Sequence, residues 1–256
     1  MTIIDLSTPV DASAWEPNPI LHEVMSPAEG AVHMAEGMLR DHDIRFNPAE
    51  LPNGELLSLD TIMLTTHTGT HVDAPSHYGS TASYGRPRHI DELPLEWFVG
   101  PGVALDLTDA PVGTVDGSRL EREFRRINHT PTAGDIVLLH TGADALVGTP
   151  KYFTDFVGLD RSATTLLLDL GVRLIGTDAF SLDGPFGYMI KKYHQTGNKD
   201  VLWPAHFIGR EREYCQIERL ANLGSLPAAI GFTVFCVPVK IVGAGAGWTR
   251  AIAIVN

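Results

Sequence analysis

The 256-residue sequence is poor in cysteine and in basic residues. Its two cysteines, Cys215 and Cys236, are too few for the disulfide framework of a small secreted protein. Lys and Arg number 19 and Asp and Glu number 31, so the formal net charge is -12. Phosphate backbones and anionic membrane surfaces repel a chain this acidic, so neither nucleic acid nor a membrane is an expected partner.

Long hydrophobic runs are also missing. The longest apolar stretch, residues 228–239, is interrupted by Gly231, Thr233 and Pro238. It is shorter than the roughly 18 residues that a membrane-spanning helix needs. Residues 1–6 have neither the basic region nor the apolar core of a secretory signal. These absences favour a cytoplasmic protein.

Short β-rich segments recur along the chain, with helical patterns between some of them. Ser118 can cap a helix over residues 118–127, with Glu121 completing a capping box. Residues 161–170 carry apolar residues at helical spacing and end at Gly171, which suits the left-handed position after a helix. The alternation predicts an α/β fold with mixed β-sheets and flanking helices. The predicted strands cover residues 3–6, 61–66, 103–107, 136–140, 172–175, 231–239 and 250–255.

Residues 9–60 break this pattern with six prolines and one short helical stretch near residues 28–40. We read them as a long excursion from a single compact domain that spans residues 1–256, and not as a second domain. Long excursions on compact domains are often lids or binding loops. A surface wrap or a contact between subunits explains the segment equally well.

Three histidines and an aspartate occupy odd-numbered positions between residues 67 and 77. Alternate side chains of an extended chain share a face, so His67, His71, Asp73 and His77 would project to one side. Gly69 lies on the same face and leaves it open. The many β-branched residues nearby favour an extended chain over a helix.

The spacing of these side chains is compatible with a metal site. His71 and Asp73 are about 6.6 Å apart along a strand, which suits two ligands of one ion. His67 and His71 are about 13 Å apart in a straight chain, so we expect a bend, which Gly69 can supply. Two imidazoles and a carboxylate suit Zn²⁺, Mn²⁺ or Fe²⁺. His77 is suited to proton transfer near neutral pH; the alternatives are that it is a ligand or only orients one.

Residues 67–77 read His-Thr-Gly-Thr-His-Val-Asp-Ala-Pro-Ser-His. This stretch resembles the HxGTHxDxPxH signature of the metal-dependent cyclase family at every fixed position. That family includes bacterial kynurenine formamidases, isatin hydrolases and enzymes encoded with aromatic polyketide pathways. The resemblance covers most of residues 1–8 and 60–256. Further segments that resemble the family are residues 4–7, 135–142, 176–178, 181–183, 204–206 and 217–218.

The resemblance implies a specific metal site. His67, His71 and Asp73 would bind a first ion, and Asp73 would bridge it to a second ion held also by His206 and Glu218. Because this sequence keeps both His206 and Glu218, one or two ions per chain, zinc or manganese, are expected. The resemblance makes His77 the general acid and base. Without it, His206 would be read as a structural histidine and Glu218 as a solvated residue or a partner of Arg219.

The resemblance also implies a swivelling β/β/α layout and a homodimer or homotetramer. The segment 9–60 is longer than in short formamidase members and is more like the longer members. We predict a hydrolase that acts on a small cyclic or aromatic amide, imide or lactone, like an arylformamidase or isatin hydrolase. The alternative is an aromatic polyketide ring cyclase, which would use the metal site or His77 for enolisation. A metal-stabilised binding protein is disfavoured, because a structural zinc usually has four protein ligands.

Overall fold

The computed structural model describes residues 1–255. The strands are β1 Thr2–Asp5, β2 Leu21–Met25, β3 Leu59–Met63, β4 His71–Asp73, β5 Val99–Asp106, β6 Gly113–Val115, β7 Ile136–His140, β8 Val157–Leu159, β9 Leu174–Thr177, β10 Cys215–Glu218, β11 Phe232–Phe235, β12 Ala246–Trp248 and β13 Ile252–Val255. The α-helices are α1 Pro27–His42, α2 Pro75–Tyr78, α3 Gly117–Ile127, α4 Arg161–Asp169, α5 Phe186–Thr196 and α6 Pro204–Ile208. Short 3₁₀ turns cover Pro48–Glu50, Pro52–Gly54, Ile90–Glu92, Leu95–Phe98, Ala143–Leu146, Pro150–Phe153, Lys199–Val201 and Leu223–Ser225.

The chain divides into two compact units. One consists of Met1–Val10 and the chain from Thr66 onward, and the other is Asp11–Thr65. The first unit contains a nine-stranded mixed sheet in the order β1-β13-β11-β5-β7-β9-β10-β4-β12. Strands β5, β7, β9 and β10 run parallel, and the strands on either side of them pair antiparallel. The predicted α/β class with a mixed sheet is therefore confirmed.

The central strand β7 shows why this sheet is buried on both faces. Its alternate residues point into different apolar clusters. Val137 and Leu139 join the cluster that contains residues of α3 and α4, while Ile136 and Leu138 join the cluster on the opposite face. A strand with both faces covered reads as a continuous apolar run, which is typical of parallel sheets.

The two helices predicted for the first unit, α3 and α4, begin close to their predicted positions, whereas α2, α5 and α6 are not predicted from the sequence. The predicted cap of α3 is wrong, because Asp116 and not Ser118 accepts the hydrogen bond from the Arg119 backbone amide. Helix α4 begins after Asp160 and ends before Gly171, whose φ of +89° is the left-handed conformation expected there.

Strand prediction is accurate in place and less accurate in length. All seven predicted strands are present with ends shifted by a few residues. The sequence patterns do not predict β2, β6, β8, β10 or β12. Each of these has only three to five residues, too few to show a period of two clearly.

The second unit, Asp11–Thr65, contains the antiparallel pair β2–β3 and helix α1. Ser26 and Glu29 form a capping box at the start of α1, in which each side chain accepts a hydrogen bond from the other's backbone amide. The helix expected near residues 28–40 is present. Among residues 1–255, no helix combines the length and apolar character needed to cross a membrane.

Candidate metal centre

Strand β4 carries two of the predicted ligands, His71 and Asp73. It lies between β10 and β12, and its pairing with β10 sets Glu218 directly opposite His71. Residues that are directly opposite on neighbouring strands share a face, as do residues two apart on one strand. The sheet therefore brings His71, Asp73 and Glu218 to one face.

The prediction of one extended segment from residue 67 to residue 77 is wrong at both ends. Gly69 adopts a left-handed φ of +69°, so His67 lies in a turn before β4. Pro75 begins helix α2, which carries His77. The bend expected at Gly69 is present, and the ring centroids of His67 and His71 are 5.0 Å apart.

Asp73 lies at the centre of the histidine cluster and is fully buried. Its Oδ1 is 3.0 Å from His67 Nδ1 and 3.4 Å from His71 Nε2. Its Oδ2 is 3.8 Å from His206 Nε2. The two carboxylate oxygens of Asp73 thus face different histidines.

Glu218 closes the other side of the cluster. Its Oε2 is 3.8 Å from His71 Nε2, and its Oε1 is 4.0 Å from His206 Nε2. The Ser181 hydroxyl and the Leu182 backbone amide donate hydrogen bonds to Oε1 at 3.0 and 2.8 Å. These two donors hold the carboxylate in place.

Hydrogen bonds also determine which nitrogen of two histidines is available. His71 Nδ1 is 2.8 Å from the Gly69 carbonyl oxygen, which only accepts, so Nδ1 carries the proton. The Nε2 lone pair of His71 is then directed at the carboxylates. His206 has the same arrangement, because its Nδ1 is 2.5 Å from Asp183 Oδ2 and its Nε2 faces Asp73 and Glu218. A histidine held by a carboxylate behind it is typical of metal ligands.

Asp183 is a site residue that the sequence patterns do not identify. It is fully buried, and besides His206 it accepts a 2.6 Å hydrogen bond from the Ala205 backbone amide at the start of α6. It lies 23 residues before His206 in the chain. No short-range spacing links the two residues. Only its place in the segment 181–183, which resembles the cyclase family, pointed to this region.

The donor atoms fit a divalent cation. His71 Nε2 and Asp73 Oδ2 are buried and form no hydrogen bond with the protein within residues 1–255. Leaving such groups unpaired costs about 1–3 kcal/mol each, more for a charged group, so a cation between them would be strongly favoured. Two sets of three residues can each place their ligand atoms within 4.8 Å of one another. One set is His67, Asp73 and His77; the other is His71, Asp73 and Glu218.

All six predicted site residues therefore lie in one cluster, and both sets share Asp73. The sets differ from the expected division of the ligands: His77 joins His67, and His206 belongs to neither set. The His77 ring centroid is 4.2 Å from that of His67 and 5.4 Å from that of His206. The expected role of each residue stays a prediction.

The electrostatics of the cluster also favour a cation. Burial raises the pKa of Glu218, and the neighbouring negative charge of Asp73 raises it further. Burial also raises the pKa of Asp73, but the neighbouring His71 and His67 together have the larger effect and hold that pKa well below its usual range. Burial opposes protonation of His206, yet Asp183 and the other carboxylates raise its pKa to about 9. Desolvation lowers the pKa of His77 to about 4.

A cavity of about 410 Å³ opens beside the cluster. One wall is aromatic: the ring centroids of Phe186 and Trp203 are 5.2 Å apart, and Phe180 follows at 6.5 Å from Phe186. The cavity is lined by His67, His77, Tyr78, Phe180, Ser181, Phe186, Trp203, His206, Phe207, Arg210 and Glu218. The cavity therefore places an aromatic surface beside the cluster of histidines and carboxylates.

Comparison with known proteins gives one family and several relatives. The family model described as "Putative cyclase" matches residues 4–184. A kynurenine formamidase of Salinibacter ruber is 29% identical over 203 residues, which are 77% of this chain and 79% of that protein.

Solved structures show the same fold. An isatin hydrolase bound to the product analogue thioisatinate superimposes with a TM-score of 0.74 at 20% identity, over 99% of this chain and 92% of that one. A predicted metal-dependent hydrolase of Bacillus stearothermophilus gives a TM-score of 0.64 at 19% identity, over 100% of this chain and 98% of that one.

Proposed function

Because this chain belongs to the cyclase family, we propose that it is a metal-dependent hydrolase of a small cyclic or aromatic amide, imide or lactone. The observation that carries the proposal is the position of Asp73. It is fully buried, shared by two sets of ligand atoms, and belongs to a cluster that opens onto an aromatic cavity. The names of the related formamidase and isatin hydrolase support hydrolysis. No feature of the site favours ring closure of a polyketide.

We assign the metal ligands as follows. His67, His71 and Asp73 would hold one ion, and Asp73, His206 and Glu218 a second. This mixed nitrogen and oxygen set suits zinc or manganese. When bound, a divalent ion supplies Lewis acidity, which polarises a substrate carbonyl and lowers the pKa of bound water to about 7 in favourable sites.

The protein residues supply positioning and proton transfer. Asp183 orients His206, while Ser181 and the Leu182 amide orient Glu218. His77 lines the cavity next to His67 and belongs to the short helix α2. A neutral imidazole there can take a proton from water and return it to the leaving amine or alcohol. The aromatic wall excludes water from one side of the substrate.

Hydrolysis and ring closure give different products, which provides the direct test. The metal-loaded protein should convert at least one of an aryl formamide, a fused cyclic imide and an aryl lactone, releasing one carboxylic acid per turnover. Acid release in a pH-stat and product mass spectrometry measure this. A chelator should stop the reaction, and zinc or manganese should restore it. Ring closure of a polyketide analogue, without hydrolysis of any of the three classes, would contradict the proposal.

Substituting Glu218 tests the number of metal ions. Glu218→Gln keeps the shape of the side chain but removes a charge that the second ion needs. Elemental mass spectrometry of purified protein should find two ions per chain in the wild type and one in the variant. A matched control is Glu123→Gln, since Glu123 is equally buried but belongs to α3 and pairs with Arg126. One ion in both the wild type and Glu218→Gln would exclude the second site.

We also propose that the chain forms a homo-oligomer, a dimer or a tetramer. The pair β2–β3 in the unit Asp11–Thr65 exposes several large apolar side chains, which association would bury. They are Leu21, Val24, Leu59, Ile62 and Met63. Sedimentation velocity at micromolar concentration should show no monomer; a monomer would contradict this proposal. The role of residues 9–60 as a lid or a subunit contact stays a prediction.

A further inference from the structure

Among residues 1–255, Arg210, which follows α6, is the single arginine that lines the cavity beside the predicted metal-binding cluster. Its Nε donates a hydrogen bond to the Tyr78 carbonyl oxygen, and its Cζ lies 4.0 Å from the centroid of the Phe207 ring. These contacts hold the flat guanidinium group against the aromatic part of the cavity. They involve Nε and one face of the group, and they leave its two terminal nitrogens available.

Arg210 has no carboxylate partner. Within residues 1–255, no Asp or Glu oxygen lies within 4.0 Å of it, and its terminal nitrogens donate no hydrogen bond to the protein. Two other arginines do have an acidic partner: Arg161 pairs with Glu211 at 2.6 Å, and Arg212 pairs with Asp169 at 2.9 Å. Arg210 is exposed and lines a ligand-sized cavity without an acidic partner, so its terminal nitrogens are available to an anionic group of a bound molecule.

We propose that Arg210 determines substrate specificity by binding a carboxylate substituent on the aromatic ring of the substrate. This inference rests on the proposed hydrolase function and adds a substrate class to it. A guanidinium group presents parallel N–H donors that match the two oxygens of a carboxylate. The rings of Phe180, Phe186 and Trp203 provide a surface for the substrate ring. The bond to be cleaved then lies at the metal cluster, and the substituent lies at Arg210.

Arg210 has a second candidate anion, which is the carboxylate that forms when a cyclic amide or a lactone opens. Aryl formamides separate the two sources, because their new carboxylate leaves as formate. The probes are therefore the three isomeric formamidobenzoates, each paired with its methyl ester, which has the same ring and formamide but no charge. A preference for a formamidobenzoate over its ester reports recognition of the substituent alone.

The decisive measurement is kcat and KM for each pair of probes with the wild type and with Arg210→Gln. We expect the variant to raise KM for the preferred formamidobenzoate about tenfold, with little change in kcat and no change for the ester. This is the lower end of the effect for a hydrogen bond to a charged group, because Arg210 is exposed to screening by solvent. Arg210→Lys, which keeps the charge without the fork, should give an intermediate KM.

Two controls separate specificity from structure. Arg125→Gln makes the same change in net charge on the exposed surface of α3 and should leave both probes unaffected. Equal losses on acid and ester in Arg210→Gln, or no preference for any acid in the wild type, would overturn the inference. Elemental mass spectrometry should show unchanged metal content in Arg210→Gln.

The inference can fail separately from the proposed function. If the wild type hydrolyses none of the formamides, binding of the aminobenzoates and of their methyl esters to the metal-loaded protein replaces kinetics, measured by isothermal titration calorimetry. Binding of an acid that is about tenfold weaker in Arg210→Gln, with no change for its ester, supports the role of Arg210 even then. Equal affinity of wild type and variant for every acid overturns it.

Discussion

Replacing Asp73 with asparagine should remove bound metal and activity together. Both oxygens of Asp73 face histidine nitrogens, and the residue belongs to both sets of ligand atoms. An amide of the same shape lacks the negative charge and offers only one oxygen, so neither ion would be retained. We expect kcat/KM to fall at least about 1000-fold, since Lewis-acid assistance contributes several kcal/mol to such reactions. Elemental mass spectrometry and a hydrolysis assay on the same preparation measure both effects.

The control for this variant is again Glu123→Gln, which removes a buried carboxylate far from the cluster in the chain. It should keep full metal content and activity. The Asp73→Asn protein should also unfold cooperatively in circular dichroism, which would show that the loss of activity does not come from unfolding. Activity of a folded, metal-free Asp73→Asn protein would refute the metal-dependent mechanism.

Replacing His77 with glutamine should leave the metal in place and lower kcat by about 100- to 10,000-fold, the usual contribution of general acid–base catalysis. His77 lines the cavity, and its ring lies against that of His67. Glutamine retains a polar side chain of similar reach but cannot take up a proton near neutral pH. Single-turnover kinetics with a formamide probe, at matched metal content, measure the loss in the chemical step.

The same variant decides between the two roles left open for His77. His67, Asp73 and His77 can place ligand atoms within 4.8 Å of one another, so His77 could itself be a ligand. Loss of one ion in His77→Gln would establish ligation and reject the acid–base role. His194→Gln, on the exposed surface of α5, is the matched control and should change neither metal content nor rate.

Much of the local structure could be predicted from local physical chemistry. The continuous apolar run of β7 predicts its limits, because a strand buried on both faces has no polar alternation. Gly171 marks the end of α4, since glycine adopts a left-handed φ without strain. The predicted cap of α3 is wrong because Asp116 and Ser118 are both good capping residues, and residue type alone does not decide between them.

For the candidate site too, one part of the sequence argument is correct and another part is wrong. The histidines and aspartate of residues 67–77 are close in sequence, and the resemblance of that segment to the cyclase signature identifies them whether or not the chain is extended. The strand argument is correct for His71 and Asp73 but wrong for His67 and His77, because Gly69 and Pro75 each redirect the backbone. His67 and His77 reach the cluster through these two bends, whereas His71 and Asp73 share a face of β4.

By itself, the sequence determined the α/β class, the candidate metal-binding segment around Asp73 and the acidic character that disfavours nucleic acid. Only the tertiary structure decided that Glu218 lies opposite His71, that Asp183 supports His206 and that Arg210 enters the cavity without an acidic partner. The physical reason is distance along the chain. Strand register and helix packing bring these residues together over many intervening positions, and no local periodicity records such contacts.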